Sequence, residues 1–147
     1  MTDLADFARL IAGDHGLCVV STLRADGTIQ SSLVNAGVLN HPETGEQVVG
    51  AVVRGGTRKL DHLRARPRMT VVVRVGWEWA AVEGPVWIAG PADPAPGIDA
   101  ERLRMLLREV FTAAGGTHED WDEYDRVMAA ERRAVVLVMP DRVYGNG

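Results

Sequence analysis

The sequence predicts a mainly β domain of the α+β class: a closed antiparallel barrel of six strands with about four helices packed outside it. Three observations lead there. Six segments are rich in β-branched and apolar residues and are bounded by turn residues. Ala25-Asp26-Gly27-Thr28 joins the first two as a hairpin, because Asp-Gly supplies the positive φ angles of a type I′ turn. Several strands are apolar on both faces, which suits a closed barrel under helices better than an open sheet covered on one side.

Each element has its own signal. Leu4, Phe7, Leu10 and Ile11 form a helical stripe that Gly13 ends. Leu17 to Arg24 reads as the first strand, and Ile29 to about Leu39 as its return. Asn40 to Glu46 is a polar connection containing Pro and Gly. Gln47 to Arg54 is a third strand, Gly55-Gly56 a tight turn, and Thr57 the cap of a short helix that Pro67 stops. Met69 to Val75 is a β-branched strand; Gly76 breaks it, and Trp77 to Ala89 forms another, bent at Gly84-Pro85. Pro91 to Gly97 reads as a crossing loop and not as a linker, so the chain is one domain, 1–147. Leu103, Leu106, Leu107, Val110 and Phe111 give an amphipathic helix ended by Gly115-Gly116. Thr117-His118-Glu119-Asp120 resembles a capping box, with Trp121, Tyr124, Val127 and Met128 on one face of the helix it opens. Ala134 to Met139 is the last strand, followed by Arg142-Val143-Tyr144-Gly145.

Composition excludes several function classes. The net charge of −4 and pI of about 5.5 argue against a nucleic-acid binder. No apolar run reaches the roughly 18 residues of a membrane span. Asp3 and Asp6 stand where a signal peptide would carry basic residues, so the expectation is a cytoplasmic protein off the membrane. The single cysteine, Cys18, lies in an apolar strand and reads as a buried, inert thiol. One cysteine and four scattered histidines do not make a zinc site, and no metal is expected. No Ser-His-acid set, Walker loop or dinucleotide fingerprint is present, and no catalytic side chain is assigned. His41, His62 and His118 read as solvent-facing.

Three features carry the functional reading. Lys59 is the single lysine among sixteen Lys and Arg residues, and it falls in the most basic stretch, with Arg54, Arg58, Arg64, Arg66 and Arg68. A strand that runs through glycines into a capped, cationic helix start can bind an anion, since free N–H groups and the helix dipole point there. An ordinary solvated charge run is the other reading. Trp77 and Trp79, two apart on a strand, would share a face and make an apolar platform. That platform is either a core or dimer contact or the wall of a site for a planar ligand. Gln30, Ser32 and Asn35 interrupt an apolar strand with polar groups, which bond either to each other or to a polar heterocycle. A flat heterocycle with a phosphate tail would use all three features.

The order of these segments resembles the FMN-binding split-barrel family, also called pyridoxamine 5′-phosphate oxidase-like. Within it the chain looks most like the short actinobacterial proteins that use the deazaflavin coenzyme F-420. The likeness rests on Val20 to Ser32, on Thr57-Arg58-Lys59 with Leu63 to Arg68, on Trp77 to Gly84, and on His118 to Tyr124 running through Arg132-Arg133 to Gly145. It implies a six-stranded antiparallel split β-barrel with flanking helices, paired into a homodimer with cofactor clefts between the subunits. It implies that Thr57, Arg58 and Lys59, with Arg54 nearby, hold the cofactor phosphate. Gln30, Ser32 and Asn35 would then lie beside the ring, and Trp77 and Trp79 would come from the opposite subunit. The activity implied is hydride transfer from reduced F-420 to an electron-poor, conjugated small molecule. FMN in place of F-420, or a non-catalytic deazaflavin or tetrapyrrole carrier, are the alternatives. The chain ends without the substrate-phosphate residues of true pyridoxamine phosphate oxidases, which argues against vitamin B6 oxidation.

Overall fold

In a computed structural model describing residues 1–147, the chain runs α1 (Leu4–Gly13), β1 (Leu17–Leu23), β2 (Ile29–Asn40), β3 (Gln47–Val53), α2 (Arg58–Ala65), β4 (Arg68–Val75) and β5 (Glu78–Ala89). It continues with α3 (Ala100–Ala113), α4 (Trp121–Ala130), β6 (Ala134–Val138) and β7 (Arg142–Gly145). The strand order β4-β1-β2-β3-β6-β5 closes on itself through β4–β5 pairing, and every ladder is antiparallel. A closed barrel leaves no long edge to pair with another chain.

The sequence reads β6 and β7 as a strand and its tail; in the structure they are one strand with a break. Val86 pairs with Val138 and Val82 with Val143, so both halves lie along β5 with a shift of one residue. Met139 N–H still donates to Pro85 and Asp141 N–H to Glu83, so Pro140 occupies the bulge where a missing N–H costs least. Gly84 makes the bulge possible: a Cβ there would lie 1.8 Å from the Met139 carbonyl oxygen.

The barrel interior is a core of nineteen buried residues. Alternation along each strand supplies it: Cys18 and Val20 from β1, Val71 and Val73 from β4, Ala80 and Val82 from β5. α1 adds Phe7, Leu10 and Ile11, and α2 adds Leu60 and Leu63. The Asp3–Asp6 capping box fixes where α1 begins. A second core lies outside the barrel, where Leu106, Leu107, Val110 and Tyr124 of α3 and α4 cover Val48, Val135 and Leu137. Gly37 lets α3 approach this closely, since a Cβ there would meet the Ala113 carbonyl oxygen at 2.0 Å.

On the outer side of β1, β2, β4 and β5, Leu33 pairs with Val19, Val19 with Val72, Val72 with Ala81 and Ala81 with Tyr144. This row spans five strands, and at its ends Leu33 and Tyr144 are exposed, as are Val19, Ile29 and Leu23 nearby. No helix is long and apolar enough to cross a membrane.

Candidate functional site

The site arises where two strands part. β2 pairs with β1 through residues 29–35 and with β3 through residues 36–40. The β2–β3 register, Ala36 with Ala51, would next set Asn35 against Val52 and Val34 against Val53. Those pairs do not form, because β3 turns away toward β6. The gap is a cavity of about 600 Å³ whose walls are Leu33, Val34 and Asn35 on one side and Val52, Val53 and Arg54 on the other. Thr57 follows from the β3–α2 turn and Lys59 from the first turn of α2, Phe111 and Gly116 from the end of α3, Tyr124 and Met128 from α4, Arg133 from the α4–β6 turn, and His15 from the α1–β1 turn.

Three cations line this cavity and no carboxylate does. Burial pushes the half-buried Lys59 ammonium below the ordinary lysine range, and Arg133 adds repulsion. Its one opposing neighbour is Cys18, whose thiol burial drives up to about 12. A neutral thiol gives Lys59 no counter-charge, so the ammonium is desolvated and unpaired, a state an arriving anion relieves. Arg133 is held by Glu131 at 3.0 Å. Gly55 and Gly56 give β3 its exit; a Cβ on Gly55 would meet the Arg132 carbonyl oxygen at 2.5 Å, and Gly56 has φ of 78°.

Thr57 occupies the N-cap position of α2 without capping it. Its hydroxyl donates instead to the Arg54 carbonyl at 3.0 Å, which closes the turn. The first N–H groups of α2 therefore lack a side-chain acceptor, and they sit beside Lys59 at the cavity. Cations, free helix N–H groups and no acid suit a phosphate.

The opposite wall is aromatic. Phe111 and Tyr124 pack with centroids 4.8 Å apart, and Trp121 backs them edge-on to Phe111. The Tyr124 hydroxyl donates to the Leu107 carbonyl at 2.9 Å, and burial raises its pKa to about 12, so it stays a neutral wall. Gly116 allows this packing, because a Cβ there would lie 2.5 Å from the Phe111 ring.

Of the residues singled out from the sequence, Asn35, Arg54, Thr57 and Lys59 line the cavity. Arg58 is exposed at the helix start beside it. Gln30 and Ser32 do not line it: they alternate with Val34 on the inward side of β2, and Gln30 Oε1 is buried without a donor. Trp77 and Trp79 do not line it within one chain. β5 begins at Glu78, so Trp77 sits in the turn, 94% exposed, while Trp79 meets Tyr144 edge-on at 6.1 Å. Within one chain the aromatic wall of the cavity comes from Phe111 and Tyr124, whose rings are tilted 47° to each other.

Other expectations need correction. His41 is buried and edge-on to Trp87 at 4.9 Å, because its Nδ1 accepts from the Glu43 N–H and folds the ring into the turn. His62 bonds the buried Thr22 hydroxyl at 3.0 Å. The cap of α4 is Asp120, three residues later than the sequence pattern places it, and it accepts from the Glu123 N–H. Phe111, Tyr124, Arg133 and His15 escaped the sequence reading as site residues. The first two looked like core-facing helix positions, and nothing local marks the others.

No protein-family model matches the chain. Solved structures do resemble it. A pyridoxamine 5′-phosphate oxidase-related, FMN-binding protein from Nostoc punctiforme superposes with a TM-score of 0.64 at 11% identity, covering 95% of this chain and 79% of that one. An F-420 reductase superposes at 0.58 with 17% identity, covering 87% and 88%. A heme-binding protein from Mycobacterium smegmatis superposes at 0.65 with 17% identity, covering all of this chain and 55% of the other. The chain has the split-barrel fold. At these identities the likeness is one of fold, and the three proteins are named for FMN, F-420 and heme.

Proposed function

We propose that the chain is a homodimeric oxidoreductase that uses coenzyme F-420 to reduce an electron-poor, conjugated small molecule. The observation that carries this reading is the cavity between β2 and β3. It sets Arg54, Lys59, Arg133 and the free N–H groups of α2, with no acid among them, against the Phe111–Tyr124 wall. Lys59 and the start of α2 would hold the coenzyme phosphate. Exposed Arg54 and Arg58 would meet its acidic tail at the mouth, and Asn35 would lie beside the ring. Bound there, the reduced coenzyme would supply the hydride. The chain's part is to fix the ring against the acceptor and to keep water out.

Pairing of two copies is supported by the apolar row from Leu33 to Tyr144 on the outer sheet face, in which Leu33, Val19 and Tyr144 are exposed. Leu33 belongs both to that row and to the cavity, so a second copy on this face would help roof the cavity. Trp77 and Trp79 of that copy are the residues assigned to the roof.

FMN is the second reading, favoured by its phosphate, which suits the same cations, and by the FMN-binding fold neighbour. A non-catalytic carrier of a deazaflavin or tetrapyrrole is the rival from another class, with the heme-binding neighbour behind it. Steady-state oxidation of reduced F-420 with a panel of enones and quinones separates the carrier from the enzyme. Turnover on any acceptor supports the enzyme; tight binding without turnover on all of them supports the carrier.

A further inference from the structure

The cavity contains one group that neither the anion site nor the aromatic wall uses. His15 lines it from the α1–β1 turn, with its backbone in the left-handed region at φ of 58°. That conformation is uncommon for a residue with a side chain and is held from both sides. Asn35 Nδ2 donates to the His15 carbonyl at 2.9 Å. Gly16 packs so closely that a Cβ would meet the Ala114 carbonyl oxygen at 2.3 Å and that of Ala36 at 2.9 Å. The ring is therefore carried on a clamped turn beside β2 and the end of α3.

Every other polar group of the lining is committed or unable to give up a proton. The Tyr124 hydroxyl is bonded to Leu107 and raised to about 12. The Thr57 hydroxyl donates to Arg54, and the Asn35 amide donates to His15 itself. Arginines do not deprotonate, and Lys59 is the compact cation at the anion site. Histidine alone titrates near neutral pH without special help.

We infer that His15 is the proton donor of the reduction, an inference that rests on the hydride-transfer reading of this cavity. Hydride bonds to the electron-poor carbon of a conjugated C=C, and the displaced π pair moves to the adjacent carbon. That pair takes H⁺ from the His15 ring, leaving a neutral imidazole, which recovers its proton from solvent. The acceptor gains two electrons, which the reduced coenzyme loses. The charged groups that share the cavity with His15 are Arg54, Lys59 and Arg133, with Asp14 beside it in the chain.

The test uses His15→Asn and His15→Gly, both of which tolerate the left-handed backbone. Coenzyme affinity is read by fluorescence titration, and approach of the ring by perturbation of the His15 NMR signals when oxidised coenzyme is added. Turnover is read against pH. The expected result is affinity within about threefold of wild type, a perturbed His15 signal, and turnover lowered by roughly 10²–10⁴, the usual contribution of a general acid. The decline of wild-type turnover with rising pH through the histidine range would vanish in His15→Asn. Added imidazole would restore activity to His15→Gly. Unchanged turnover with the pH limb intact in His15→Asn would overturn the inference while leaving the function standing. Failure of wild type to bind either coenzyme would overturn both.

Discussion

Replacing Lys59 by alanine separates a binding residue from a structural one. Lys59 is half-buried, has no carboxylate partner, and is pushed toward its neutral form by burial and by Arg133. A residue in that state adds little to the stability of the free protein. Its value should appear when an anion arrives: losing a charge-assisted hydrogen bond costs about 1.5–3 kcal/mol. That corresponds to an affinity for F-420 or FMN weakened roughly 10- to 140-fold. The free variant should melt at or above the wild-type temperature, since a desolvated charge has been removed. The pH signature follows from the direction of the shift. A lysine lowered from 10.5 in the folded state binds fewer protons there than in the unfolded chain. Wild-type stability should therefore rise as pH climbs from the lowered value toward 10.5, and the alanine variant should lack that rise. The assays are a fluorescence titration for Kd and thermal melts without ligand across the pH range. Unchanged Kd together with a lower melting temperature would refute the reasoning and return Lys59 to the scaffold.

Other parts of the structure give sharp expectations. Gly84→Ala would force a Cβ into the Met139 carbonyl, 1.8 Å away; it should destabilise by more than about 2 kcal/mol in chemical denaturation, against a small gain if the site were open. Leu33→Glu puts a charge at the exposed end of the outer row, and if two copies pair there as proposed, sedimentation should show dimer for wild type and monomer for the variant; an unshifted dimer would move the interface elsewhere. Asp125 accepts from Arg108 and Arg104, which hold its carboxyl below the usual range, Arg108 foremost. Its contribution is present above the unfolded pKa and is lost as pH falls through the lower folded one. Asp125→Asn should therefore flatten the acid limb of the melting curve, and an unaltered limb would remove this cluster from the account.

Much of the fold was legible because it depends on local pattern. The Asp26-Gly27 hairpin, the strand alternation and the Leu103–Phe111 stripe each declare themselves within a dozen residues. The break between β6 and β7 was not, because it is set by Gly84 on another strand. That Arg54, Thr57 and Lys59 line one cavity was legible for the same local reason: they come from one continuous segment. The aromatic half was not. Phe111 and Tyr124 sit at the edge of a helix face, and whether such positions meet core or cavity depends on where β2 and β3 part. The start of β5 was placed one residue early, at Trp77, because a Gly-Trp turn and the start of a strand look alike in sequence. His15 is set by tertiary contacts with Asn35 and Ala114, which no neighbouring residue reports.

The most direct measurement is a fluorescence titration of the purified protein with F-420 and with FMN in phosphate-free buffer, repeated against inorganic pyrophosphate as competitor. The account predicts saturable binding of F-420, one per chain, tighter than FMN and displaced by pyrophosphate. Absence of saturable binding by either compound, or binding indifferent to pyrophosphate, would contradict the claim that the gap between β2 and β3 is a cofactor phosphate site.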